Sequence, residues 1–86
     1  MAGGTLLKVS VISPEATLFE GEAPSVIAPA FDGEVGILPK HAPMVTTLGA
    51  GVLKVGDGNA RFQVEGGFLQ VVDDVVRVVT EKASRL

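Results

Sequence analysis

Apolar and polar residues alternate along much of this 86-residue chain, and a period of two predicts β-strands. In the segment 7–13, Leu7, Val9 and Val11 point to one face and the residues between them to the other. β-branched residues are dense in the last third, which favours strands over helices, and no window of eleven residues carries a helical stripe. Further strands are predicted at Thr17–Glu20, Ser25–Ala28, Val52–Val55, Ala60–Val64, Phe68–Val72 and Val75–Thr80.

Turn-forming residues separate these predicted strands. Residues 13–15 (Ser-Pro-Glu) predict a turn, Gly21 is expected to end the second strand, and Gly66-Gly67 is expected to separate two later strands. The cluster 56–59 predicts a hairpin turn. Asp73-Asp74 predicts another, with both carboxylates at a solvated tip. The Val-Val pairs that flank this tip break strict alternation, so we expect both faces of those strands to be covered.

Composition narrows the classes of protein that fit. The chain has 47% hydrophobic residues, eleven glycines, five prolines, no cysteine and a net charge of −3. We therefore predict a single domain over residues 1–86, all-β in class. Its architecture is expected to be a small β-sandwich or flattened barrel of roughly 8–10 short, mostly antiparallel strands. An acidic chain without a basic face does not fit a nucleic-acid binder.

Few residues could carry chemistry. His41 is the only histidine, and its place between two prolines indicates a turn or an interface more than catalysis, since no nucleophile and orienting acid accompany it. Asp32 and Glu34 could form a weak cation site, but no further ligands stand at calcium-loop spacing. No cofactor is expected. The uncharged run 41–53 is too short to span a bilayer, so we expect no direct membrane insertion.

Residues 29–48 have the most distinctive pattern in the chain. Two prolines flank a Lys-His-Ala triplet, and an uncharged Met-Val-Thr-Thr-Leu run follows closely. One interpretation is a strand, a rigid turn and a second, buried strand. The other is that part of this segment and the neighbouring sheet face form a binding surface. The residues alone leave both interpretations open.

The segment 32–43, DGEVGILPKHAP, resembles the D/E-G-x-x-G-x-x-P-x-H-A-P signature of the ε subunits of F-type ATP synthases. Supporting similarities in the same order are VISP at 11–14 with LFEG at 18–21, GVLKV at 51–55 and EGGFL at 65–69. The resemblance covers nearly the whole chain. It implies the N-terminal β-sandwich domain of such a subunit. The family's C-terminal two-helix domain is expected to be absent, so inhibition of ATP hydrolysis and ATP sensing are not implied.

The resemblance also implies a function and two contact regions. It implies a non-catalytic central-stalk rotor subunit that couples rotation of the c-ring to the γ shaft, and so proton transport to ATP synthesis. Such a subunit would be peripheral, on the cytoplasmic face of the bacterial inner membrane. The residues implied to contact γ are Ser13, His41, Ala42, Pro43, Met44, Val45, Thr46 and Leu48. The residues implied to contact the polar loops of the c-ring are Ala30, Phe31, Asp32, Gly33, Glu34, Val35 and Gly36.

Two other functions are weighed against this one. A lipoyl- or biotinyl-type carrier is also a small all-β module, but it presents its lysine in an Asp-Lys or Met-Lys-Met setting, whereas Lys40 stands in Pro-Lys-His. An enzyme would need an activity that depends on His41. An intact mass without a modification would exclude the carrier, and a His41→Ala variant would test the enzyme.

Overall fold

The computed structural model of the protein describes residues 6–56 and 60–86, and within these ranges it contains eight β-strands and no helix. The strands are β1 Leu7–Ile12, β2 Thr17–Ala23, β3 Val26–Ala30, β4 Gly33–Ile37, β5 Met44–Thr47, β6 Ala50–Val55, β7 Ala60–Val72 and β8 Val75–Arg85. The predicted all-β class is thereby confirmed. Most of the predicted turn at 56–59, and the first five residues of the predicted domain, lie outside the described residues. Nowhere in the described ranges is a helix long and apolar enough to cross a membrane.

The strands form one sheet in the order β2-β1-β8-β7-β6-β3-β4, with β5 also paired to β7. Only β1 and β8 run parallel among the pairings of the described strands. Phe19 of β2 and Phe62 of β7 have ring centroids 6.4 Å apart in an edge-to-face contact. Three strand spacings separate β2 from β7, or roughly 14 Å in a flat sheet. The sheet must therefore fold over on itself, as in the predicted β-sandwich.

Both halves of the folded sheet contribute to one apolar core. Alternate residues of β1 and β8, such as Val9 and Val76, are fully buried, and so are Leu53 of β6 and Phe62 of β7. Phe62 is the largest of the fully buried side chains, and the guanidinium of Arg85 lies 5.6 Å from its ring centroid. The apolar residues that alternate along the sequence are thus the ones whose side chains point into the core.

A crease crosses the sheet where the strands pass from one layer to the other. β5 and β6 pair with β7 in one continuous register, interrupted only at Leu48-Gly49. Opposite this break lie Gly66 and Gly67, with φ values of 72° and 103°. The prediction that Gly66-Gly67 separates two strands is wrong, because both glycines lie within the single strand β7. Positive φ values let the strand bend here without ending.

The structure corrects three other local predictions. β2 does not end at Gly21 but continues to Ala23, since its pairing with β1 extends to Leu7. The Val-Val pairs do not have both faces covered: Val72 and Val75 are exposed, while the other valine of each pair is buried. The strand predicted to end at Ala28 continues through Pro29, beyond the point where β3 leaves its regular pairing with β6.

Candidate functional site

The turn between β3 and β4 carries the residues implied to contact the c-ring. Ala30 and Gly33 close the hairpin, and Phe31 at its tip is 73% exposed. Most of this set lies on the surface: Phe31, Asp32, Gly33, Glu34 and Gly36 are exposed, whereas Ala30 and Val35 are half-buried. Gly33 has a φ of 134°, a conformation that favours glycine. The hairpin therefore presents an apolar ring and two carboxylates on a short, well-defined tip.

This tip is attached by backbone hydrogen bonds to the segment implied to contact γ. The N–H of Phe31 donates to the carbonyl of Thr47 at 3.2 Å, and the N–H of Gly49 donates to the carbonyl of Pro29 at 2.8 Å. Ala30 and Leu48 form an antiparallel bridge between these two bonds. Sequence reasoning treated the two contact regions as separate, but the structure makes them neighbours in one ladder.

Side chains of β5 alternate between the core and the surface. Val45 is 69% exposed, and Thr47 is exposed on the same side. Met44 and Thr46 are half-buried on the other side, and Met44 packs against the core cluster. Leu48 is only 3% exposed. The side chain of Leu48 therefore belongs to the core of this chain, and its contact with γ stays a prediction.

Neighbouring strands extend the exposed side of β5 into a larger apolar surface. Val45 pairs with Gln70, and Thr47 with Phe68, so the outward residues of β7 share the same side. Across the next ladder Val72 pairs with Val75. We call this surface the outer face, and it comprises Val45, Thr47, Phe68, Val72 and Val75. The polar side chains of Gln70, opposite Val45, and Arg77, opposite Gln70, lie among them on the same side. Of the members of the outer face, only Val45 was among the residues predicted to contact γ. The period-2 alternation of β7 and β8 is the signal that would have found Phe68, Val72 and Val75.

The loop before β5 contains the remaining predicted residues at this end of the sheet. The carbonyl of Leu38 accepts the N–H of His41 at 3.2 Å, which closes a β-turn with Pro39 and Lys40 at its centre. Ala42 and Pro43 are exposed and His41 is half-buried. Nδ1 of His41 lies 2.7 Å from the carbonyl oxygen of Ala42. Since a carbonyl can only accept, Nδ1 is the donor in this contact.

Ser13 lies at the opposite end of the strands from the loop that contains His41. The backbone N–H of Ser13 donates to the carbonyl of Ala16 at 2.9 Å, and its hydroxyl contacts the same carbonyl at 3.2 Å, so the predicted turn at 13–15 is confirmed. A row of directly paired residues crosses the sheet from β5 to β1: Thr47, Phe68, Val79 and Ile12. The corresponding row at the other end of these strands is Met44, Val71, Val76 and Val9. The His41 loop precedes Met44 and Ser13 follows Ile12, so the two leave opposite ends of the strands. The structure therefore does not bring Ser13 and the His41 loop together.

The polar residues of the described ranges do not assemble a metal centre. No group of three His, Cys, Asp or Glu side chains there is close enough to hold an ion. His41 makes its ring contact with a backbone carbonyl, and Ser13 makes its hydroxyl contact within its own turn.

Comparison with known proteins identifies the family. Residues 6–86 match the family model described as the ATP synthase delta/epsilon chain β-sandwich domain. The chain is 49% identical over 77 residues to the ATP synthase epsilon chain of Leptospira borgpetersenii, covering 87% of this chain and 61% of that protein. It is 38% identical over 85 residues to the epsilon chain of Nitrosomonas eutropha, covering 95% of this chain and 61% of that protein. The chain thus spans about three-fifths of the length of these relatives.

Solved structures share the fold. The chain is similar to part of the mitochondrial ATP synthase of Euglena gracilis, in a structure of OSCP, F1 and the c-ring, with a TM-score of 0.84 and 24% identity. That similarity covers 93% of this chain and 53% of the matched chain. A second is the central stalk and c-ring structure of Tetrahymena thermophila ATP synthase, with a TM-score of 0.78, 17% identity, and 91% and 65% of the two chains covered.

The family match decides between the alternatives raised by the sequence. A lipoyl- or biotinyl-type carrier finds no support, because the match over residues 6–86 is to a different β-sandwich domain. The resemblance seen in the segment 32–43 is confirmed by sequence similarity over most of the chain. This chain belongs to the delta/epsilon family of ATP synthase subunits, of which it contains the β-sandwich domain.

Proposed function

We propose that this chain acts as a central-stalk rotor subunit of a proton-translocating F-type ATP synthase and couples c-ring rotation to the γ subunit. The observation that carries the proposal is the direct backbone ladder between the β3–β4 tip and β5. Two hydrogen bonds and one bridge join the two segments around Ala30 and Leu48. In this proposal the tip binds the polar loops of the c-ring, and the outer face with the 41–43 loop binds γ.

A coupling part must transmit torque without yielding between its two contacts. A hydrogen-bonded sheet resists such shear, because each displacement would break several backbone bonds that have no other partner. A flexible linker between the same contacts would instead absorb the rotation. The short ladder from Phe31 to Thr47 therefore suits a mechanical connection between a ring and a shaft.

The two contacts differ in their chemistry. The outer face is apolar except for Gln70 and Arg77, and burial of its exposed valines and Phe68 against γ would provide most of the affinity there. At the tip, Glu34 is exposed and would form at most a surface ion pair, worth about 0.2–1 kcal/mol. Glu34 would therefore orient the ring contact while Phe31 adds apolar area to it.

In this proposal the chain is non-catalytic and peripheral. The hydroxyl of Ser13 and the ring of His41 are each engaged with backbone carbonyls, which supports a structural role for both. A subunit that binds the loops of a membrane ring lies beside the membrane without entering it. The relatives are bacterial, which supports the cytoplasmic face of the inner membrane as its location.

The γ contact is testable with the 86-residue chain and purified γ subunit. Val45→Asp places a charge on the outer face and should weaken γ binding at least tenfold, since desolvating a carboxylate in an apolar contact is unfavourable. Isothermal titration calorimetry measures the Kd. Gln63→Asp is the matched control, because Gln63 is an exposed residue of β7 on the other side of the crease.

Two outcomes would contradict the γ contact. The first is an unmodified chain that shows no binding to γ. The second is a Val45→Asp variant that binds γ as tightly as the Gln63→Asp control. Circular dichroism melts of both variants keep a loss of folding from being mistaken for a loss of binding.

A further inference from the structure

The carboxylate of Asp74 binds the backbone of a loop 34 residues away in sequence. The N–H of Lys40 donates to Oδ1 of Asp74 at 2.6 Å, which is short for a hydrogen bond to a carboxylate. The main-chain carbonyl of Asp74 also accepts the N–H of Lys8 at 2.8 Å, at the beginning of β1. Asp74 is half-buried, so the prediction of a solvated tip is wrong for this residue.

Its neighbour Asp73 provides an internal comparison. Asp73 and Asp74 are the two central residues of the β7–β8 hairpin, and both have positive φ, 50° and 64°. Val72 and Val75 close the hairpin, so the turn is of the two-residue, primed type. Asp73 is exposed, and its carboxylate makes no hydrogen bond within the described residues. The two aspartates therefore share a backbone conformation and differ in what their side chains contact.

Lys40 has a conformation that needs external support. It lies at the second central position of the turn that Leu38 and His41 close, with a φ of 69°. That position usually holds glycine or asparagine, and a residue with a longer side chain is strained there. Strained residues persist where surrounding contacts hold them. The hydrogen bond that the Lys40 N–H donates to Asp74 is such a contact, and it acts on the strained residue itself.

We propose that Asp74 is a positioning residue for partner binding: its carboxylate fixes the 38–43 loop against the β7–β8 hairpin and thereby presents His41 and Pro43 beside the outer face. The hairpin ends at Val72 and Val75, which belong to the outer face, so the bond joins the loop to the surface that it borders. This inference rests on the proposed binding of γ. It assigns a role to Asp74 that requires no contact between Asp74 and γ.

The test compares three variants of the 86-residue chain. Asp74→Gly keeps the positive φ and removes the carboxylate, Asp73→Gly is the matched control in the same turn, and Asp74→Asn retains an oxygen that can accept the Lys40 N–H. NMR measures amide hydrogen exchange at Lys40, and calorimetry measures the Kd for γ. Asp74→Gly should accelerate Lys40 exchange about tenfold and weaken γ binding roughly threefold to tenfold, as expected for the loss of one charge-assisted hydrogen bond. Asp73→Gly should change neither the Lys40 exchange rate nor the Kd by more than about twofold. Asp74→Asn should stay close to the unmodified chain in both quantities.

Three other results would contradict the hydrogen bond's effect on the loop, the positioning role of Asp74, or the proposed function. If Asp74→Gly leaves Lys40 exchange unchanged, the bond does not hold the loop and the inference is overturned. If exchange accelerates while γ affinity stays at the wild-type value, the loop is held but its position is irrelevant to binding, and the positioning role is overturned. If the unmodified chain does not bind γ, the proposed function itself fails, and the positioning role fails with it, although the exchange result stands.

Discussion

Gly67 packs directly against the backbone of Val79 at the crease of the sheet. A Cβ atom at position 67 would overlap the carbonyl oxygen of Val79 and lie 2.7 Å from Cα of Thr80. Gly67 also has a φ of 103°, which other residues rarely adopt. Space and backbone conformation thus both require glycine where β7 passes from one layer to the other.

We predict that Gly67→Ala lowers the free energy of unfolding by about 3 kcal/mol, because overpacking and backbone strain act together. For a domain of this size the melting temperature should fall by roughly 12–24 °C. Gly36→Ala is the matched control, since no atom lies within 4 Å of the added Cβ in that strand. Thermal melts by circular dichroism measure both variants. Equal stability of the two would show that the crease tolerates a side chain.

Thr80 supports the same crease with a buried hydroxyl. It is 1% exposed, and its Oγ1 donates to the carbonyl of Lys82 at 2.9 Å. We predict that Thr80→Val destabilises the fold by about 1 kcal/mol, because the carbonyl loses a partner while the shape of the side chain is kept. Thr80→Ser keeps the hydroxyl and loses a methyl group. Urea denaturation of both variants separates the contribution of the hydrogen bond from that of the methyl group. If Thr80→Val were as stable as the unmodified chain, the hydrogen bond would make no net contribution to stability.

Six of the eight described strands were predicted directly, since a pattern such as that of Val9 and Val11 in β1 is a local signal of one buried face. The other two, β4 and β5, corresponded to one of the two interpretations of residues 29–48. The continuity of β7 was not predictable, because Gly66-Gly67 is equally typical of a turn and of a bend within one strand. Only the constant register between β7 and β8 distinguishes these cases, and register depends on the partner strand.

The candidate site was likewise predictable in its position along the chain but not in its three-dimensional detail. The sequence indicated the 29–48 segment, but not which of its side chains are exposed: Thr47, at the end of β5, is exposed, and Leu48, which follows it, is buried. The contact between Asp74 and Lys40 had no sequence signal. Its residues are 34 positions apart, and only the folded chain determines which carboxylate reaches that loop.

The strain at Lys40 leads to a prediction about stability. Lys40→Gly should stabilise the fold by about 0.5–1 kcal/mol, because relief of the left-handed strain exceeds the extra entropy of glycine in the unfolded chain. The backbone N–H that binds Asp74 is unchanged. Lys40→Ala is the control, since it removes the charged side chain but keeps the strained Cβ. Differential scanning calorimetry compares the three proteins, and an equal gain in both variants would assign the effect to charge rather than to backbone strain.

Glu34 offers a prediction about the second contact. Under the proposed function, Glu34→Gln should weaken attachment to the c-ring by about 0.2–1 kcal/mol at low salt, up to roughly fivefold, as expected for an exposed ion pair. The difference should disappear near 1 M salt, where the screening length falls to about 3 Å. Because Glu34 is exposed at the tip and away from the core, the melting temperature and the Kd for γ should stay at their wild-type values.

Glu65→Gln is the matched control for this measurement, because Glu65 is an exposed carboxylate of β7 outside the tip. Binding is measured by co-sedimentation of the chain, in complex with γ, with vesicles that contain purified c-ring, at two salt concentrations. A Glu34→Gln loss that persists at high salt would contradict an electrostatic role. A loss of the same size in Glu65→Gln would show that net charge matters and that the tip does not. If Phe31→Ala weakens attachment at both salt concentrations while Glu34→Gln does so only at low salt, the apolar and charged parts of the tip act as the geometry predicts.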